Sequence, residues 1–85
     1  MTDINQILAE RAKTHGDYRD HARTTQNLKR SFRQDIRRIL NDSQLEAVDM
    51  ILHKLGRIAS GDPNFADHWD DIAGYATLVA NQCRK

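Results

Sequence analysis

A single cysteine, Cys83, leaves the chain no internal disulfide, which fits a reducing compartment such as the cytoplasm. No spaced Cys/His set accompanies it, so a structural zinc site is not expected. No apolar run approaches the length of a membrane span, and Met1-Thr2-Asp3-Ile4 has neither the basic nor the apolar region of a signal peptide. There is no phosphate-cradling glycine loop, nucleophile elbow or dinucleotide fingerprint. Repeats, low-complexity tracts and linkers are absent too. What remains is one domain, 1–85, with 39% apolar and 29% charged residues. A single core of that size only just stabilises a fold, so a second copy supplying further burial is expected.

Net charge is +1, but it is unevenly spread. From Arg19 to Arg38 there are seven basic residues against two acidic ones; from Asp42 to Asp71 there are seven acidic against two basic. Such halves attract each other within one chain or across a subunit contact.

Helical periodicity runs throughout, and no strand-like alternation persists. The expected class is all-α, a four-helix antiparallel bundle or pair of helical hairpins completed by oligomerisation. The first helix spans about 3–13, capped by Asp3 or Thr2, and stops before Gly16. Asp17 caps a second over about 18–40, with Tyr18, Ala22, Leu28, Phe32, Ile36 and Ile39 as its apolar stripe. Ser43-Gln44-Leu45-Glu46 has capping-box spacing and opens a third over about 44–60, which buries Leu45, Val48, Ile51, Leu52, Leu55 and Ile58. Gly61 and Asp62-Pro63 turn the chain into a fourth over about 66–82. Trp69, Ile72, Ala73, Ala76, Val79 and Cys83 form its core side. His68 beside Trp69 reads as a surface residue, and Cys83 as a small hydrophobe.

Candidate chemistry lies on second faces. Glu46, Asp49, His53 and Arg57 share an arc opposite the leucine-rich face of the third helix. Glu46 and Asp49, facing Asp67 with Asp71 (or Asp70) on the fourth, form an oxygen-donor set suited to Mg²⁺ or Mn²⁺. The bland alternative is a solvated face of helix-surface ion pairs, with Glu46 as a capping residue. On the second helix Arg19, Arg23, Arg30, Arg33 and Arg37 make a basic stripe that suits phosphate or carboxylate groups. Nucleic acid ranks last as its partner, because no aromatics interleave the stripe and net charge is near zero. Glycine inside a helix costs about 0.8–1 kcal/mol relative to alanine, so Gly74 and Gly56 ask for a close approach. With Leu78 and Met50, apolar outside the main stripes, Gly74 suggests a covered face, most simply a subunit interface. His15 belongs to a turn that cap chemistry already explains; it could reach a site, though its spacing requires none.

Three segments carry a family resemblance: Ile7-Leu8 through His15-Gly16-Asp17-Tyr18; Ala47-Val48-Asp49-Met50-Ile51 through Lys54, Arg57 and Gly61-Asp62; and Asp67, Trp69 and Asp71-Ile72-Ala73-Gly74-Tyr75. Together they resemble a small helical domain family of tailed phages and prophages without established function. More distantly, Glu46-x-x-Asp49 and Asp71-Ile72-Ala73-Gly74-Tyr75 are similar to the acidic pairs of MazG-like and dimeric dUTPase-like all-α nucleotide pyrophosphatases. That resemblance implies Mg²⁺-assisted cleavage between phosphates, with Glu46, Asp49, Asp67 and Asp71 as ligands and Lys54 and Arg57 as phosphate contacts. The chain departs from the pattern at His68, where the second pair would have Glu. Enzyme activity is therefore the less favoured expectation. A binding module for a host protein or a signalling nucleotide is the alternative, as is polyanion binding through the Arg stripe.

Overall fold

Four helices form in a computed structural model, which describes residues 3–36 and 39–84, the side chains of 34–36 excepted. They are α1 (Ile4–His15), α2 (Tyr18–Ile36), α3 (Asp42–Ser60) and α4 (Ala66–Cys83), and no strand occurs among the described residues. None of these helices is long and apolar enough to cross a membrane. The expected apolar position Ile36 falls where side chains are not described, and Arg37 lies outside the described residues.

Local chemistry explains the boundaries. Asp3 caps α1 by accepting the Asn5 N–H at 2.9 Å, and Asp17 accepts the Arg19 N–H at 3.1 Å at the start of α2. The third helix starts two residues before the sequence expectation. Asn41, not Ser43, is the N-cap, and its partner is Gln44, not Glu46: Asn41 Oδ1 accepts the Gln44 N–H at 2.8 Å, and Gln44 Oε1 accepts the Asn41 N–H at 2.9 Å. Both boxes are chemically sound. The earlier one adds helix and puts Asp42 in the first turn, where the helix dipole favours it.

The helix axis α3 organises everything else. It packs against α1, α2 and α4, whereas α4 packs along α3 and reaches α1 through His68. Early α2 meets late α3 (His21 on His53) and late α2 meets early α3 (Arg33 on Asp49), so this pair is antiparallel. Three helices packed around a fourth make an elongated all-helical arrangement. The molecule measures 46 × 26 × 26 Å with a radius of gyration of 14.8 Å, against about 12 Å for a compact domain of this length.

The interior is correspondingly polar. Among the described residues the buried apolar side chains are Ala47 and Leu52, while His21, Thr25, Lys54 and His68 are buried beside them. Leu45, Val48, Ile51, Leu55 and Ile58 are half-buried, and Tyr18 and Ile39 are exposed, so the expected stripes are only partly covered. The fourth helix reverses two expectations. His68 is the most buried side chain of the described chain, at 1% exposure, and its Nε2–H donates to the Thr14 carbonyl at 2.9 Å. Trp69 is 50% exposed, its indole N–H donating to the Pro63 carbonyl at 2.8 Å. The reason is rotational. His68, Ile72, Tyr75 and Val79 point at α3, and α3 is one helix wide, so Trp69, Ala73, Ala76 and Cys83 on the same apolar side stay exposed.

Two glycines sit where helix ends cross. Gly16 has φ +81°, and its Cβ position is occupied by the Ser60 carbonyl, while Asp62 N–H donates to Thr14 O at 2.9 Å. Gly56 faces Thr25 and His21 without a side chain of its own, which lets α2 lie directly on α3.

Candidate functional site

A cleft of about 450 Å³ opens where α1, the start of α2 and the second half of α3 converge. Helical spacing aims its walls. Leu8, Arg11, Ala12 and His15 share one face of α1, Tyr18 and His21 one face of α2, and His53 with Arg57 are four apart on α3. The floor and one wall are apolar, while the polar groups are basic. Asp17 is the one carboxylate of the lining, and it already caps α2.

The electrostatics favour an anion. No carboxylate lies within salt-bridge distance of Arg11 or Arg57 among the described residues; the ion pairs there are Lys13–Glu10, Arg23–Asp20, Arg33–Asp49 and Lys54–Asp71. Burial pulls the Arg57 pKa down from its ordinary value, Asp71 pulls it back up, and Arg11 adds to the lowering. The imidazole of His53 meets that of His21 edge-on at 4.5 Å between centroids. Burial, then the charges of Arg57, His21, Lys54 and Lys29, lower the His53 pKa to about 4. His21 and His15 are lowered as well, burial being the largest cause in both. No carboxylate acts on these three rings to hold a proton on them.

All four histidines of the chain lie in this region. His15 stacks edge-on with His68 at 5.0 Å, and Phe65 closes over His68 at 4.9 Å. The convergence of His21, His53 and His15 on one cleft is not expected from the sequence, since the three come from three helices with no regular spacing. Arg57, expected as a phosphate contact, does stand in the cleft. Lys54, its expected companion, is buried and bonded to Asp71 at 2.8 Å instead, and that bond holds the Asp71 carboxyl below its usual range.

The four acidic candidates are not gathered. Asp49 accepts two hydrogen bonds from Arg33, at 3.0 and 3.1 Å, so this part of the arc faces α2. Asp71 is engaged by Lys54, and Glu46 and Asp67 are exposed. Among the described residues no three His, Cys, Asp or Glu side chains lie together as one metal ion would need. The basic stripe is broken up as well. Arg23 pairs with Asp20, Arg30 with Asn27 and Arg33 with Asp49, leaving Arg19 exposed at its head.

Gly74 and Leu78 lie exposed on α4, and Met50 is half-buried on α3. An added Cβ at Gly74 meets nothing within 4 Å. Gly74→Ala should therefore raise stability by about 0.8–1 kcal/mol, read from the urea midpoint. A loss of stability would instead reveal another chain's backbone lying against this flank.

Residues 2–83 match the family described as a domain of unknown function, DUF6378, and the chain belongs to that family. No curated protein and no solved structure matches it.

Proposed function

We propose that this protein is a non-enzymatic binding module for a small phosphorylated molecule, an accessory protein of the phage and prophage type that its sequence resembles. The cleft carries the reading. It joins two arginines without carboxylate partners to an apolar wall of Leu8, Ala9, Ala12 and Tyr18, within a volume suited to a small ligand. A phosphate would sit between Arg11 and Arg57, where guanidinium groups offer paired donors. The less polar part of the ligand would lie along Leu8 and Tyr18.

The hydrolase reading draws less support. Mg²⁺ or Mn²⁺ on Glu46, Asp49, Asp67 and Asp71 would require Asp49 to leave Arg33 and Asp71 to leave Lys54. Titration calorimetry with inorganic pyrophosphate and nucleoside monophosphates separates the two. Binding is expected with EDTA present, stronger at pH 6 than at pH 7.5, because a bound anion favours protonated histidines. Arg57→Ala should weaken it by roughly tenfold or more. Lack of binding by any of these anions would refute the proposal, and Mg²⁺-dependent release of pyrophosphate from nucleoside triphosphates would put the hydrolase in its place.

A further inference from the structure

The accessible surface of the chain is 6421 Å², whereas a compact monomer of 9.8 kDa exposes about 5,200 Å². The difference, about 1,200 Å², exceeds the ~800 Å² that each partner contributes to a standard protein interface. Of the exposed large apolar side chains, Leu8 and Tyr18 belong to the cleft already described, and Trp69 stands on α4, which is covered on one side only.

On that helix Trp69, Ala73, Ala76, Ala80 and Cys83 follow one another at intervals of four, three, four and three residues. This is the a/d spacing of a helix that packs along its length against another helix. Trp69 is 50% exposed, Ala73, Ala76 and Cys83 are exposed and Ala80 is half-buried, so the seam has no partner within the monomer. Small residues at its centre permit a close helix–helix approach, with Trp69 as the bulky anchor at one end.

We infer that this seam is the contact between two copies of the chain, α4 against α4 in antiparallel orientation about a two-fold axis near Ala76. A self-complementary surface is what such symmetry requires. Charge selects the antiparallel choice. Asp70 stands exposed on the flank beside Trp69 at the start of the helix, and Arg84 stands beside Cys83 at its end. Antiparallel pairing sets the acidic start of one helix beside Arg84 of the other copy and opposes the two helix dipoles favourably. Parallel pairing would place acid beside acid. In the antiparallel arrangement Trp69 of each copy lies over the Cys83 end of the other, filling the space that small residues leave there.

The test uses the full chain. Light scattering after size-exclusion chromatography should give twice 9.8 kDa at micromolar concentration. Ala76→Arg adds no clash to the isolated monomer, since Ala76 is exposed there, but buries an unpaired charge at the two-fold. It should weaken association by roughly a hundredfold or more. If that variant also loses helicity by circular dichroism, cross-linking decides. With Cys83→Ser, Ala76→Cys should link efficiently through a short bismaleimide, because the introduced thiols face each other across the axis. The native Cys83 should not link, as two such thiols sit about 20 Å apart at opposite ends of the seam. A wild-type monomer at every concentration overturns the proposal. So does a dimer that links through Cys83, or one that neither responds to Ala76→Arg nor links through position 76.

Discussion

Gly16→Ala should unfold the chain at markedly lower urea, with a loss of about 2–4 kcal/mol. Two separate costs produce it. The backbone at Gly16 has φ +81° and ψ −177°, a region that residues with a Cβ hardly enter. The new methyl would also be directed onto the Ser60 carbonyl and the Gly61 nitrogen, the latter 2.8 Å away. Those are backbone atoms at the end of α3, so no side-chain rotation relieves the collision. Domains of this size are stable by roughly 4–13 kcal/mol in total, so the loss is a large share. It should also be local in character. Helix α1 has no buried residue of its own and is held by this crossing, by Asp62 N–H on Thr14 O and by His68 on the same carbonyl. Limited proteolysis should therefore cut the variant within α1 before the rest of the chain yields. The reading fails if Gly16→Ala leaves the midpoint unchanged or raises it.

The contrast between Gly16 and Gly74 shows where sequence reading runs out. Helix number, the Asp3 and Asp17 caps and the Gly16 and Gly61 stops follow from local rules that act over a few residues, and the structure agrees with them. Gly16 was legible for the same reason. Gly74 and Gly56 looked alike as helical glycines that called for close neighbours. Only Gly56 has them, in Thr25 and His21, because α2 packs across that face of α3, whereas the Gly74 flank of α4 has no helix against it. How many sides of a helix are covered is a property of the assembled fold, and no periodicity encodes it. The same limit explains Trp69 and His68, neighbours whose expected burial was reversed by a modest rotation of α4.

The candidate site was legible in part, through the residue types rather than through their company. Arg57, expected as a phosphate contact, does line a basic cleft. Asp49 and Asp71 read as ligands in the sequence because carboxylates at helical spacing suit a hard cation. Their partners, Arg33 and Lys54, are distant in sequence, and ion pairing across helices leaves no trace in spacing. The meeting of His21, His53 and His15 has no sequence signature, because three helices supply one histidine each to the same cleft.

That clustering makes the protein sensitive to mild acid. In the unfolded chain each histidine takes up its proton near pH 6.5. In the folded chain burial and the nearby charges of Arg57, His21, Lys54 and Lys29 hold His53 neutral down to about pH 4, and His21 and His15 are shifted the same way. The unfolded state therefore binds more protons than the folded state across this window, and stability falls as pH drops from 6.5 towards 4. Below that point both states are protonated and the loss levels off. Asp71 acts in the same direction, but only below its ordinary pKa of 3.8, so measurements above pH 5 isolate the histidines. The His53 contribution over the full window is on the order of 2 kcal/mol once solvent screening of a half-buried ring is allowed for. Thermal melts by circular dichroism should show a falling midpoint from pH 7 to pH 5, and His53→Gln should flatten the slope. A midpoint independent of pH over that range would refute this account of the cleft. Pyrophosphate links stability to the proposed function. A bound anion would supply the negative charge that the cleft lacks, so it should raise the midpoint more at pH 5 than at pH 7, and Arg57→Ala should abolish that difference.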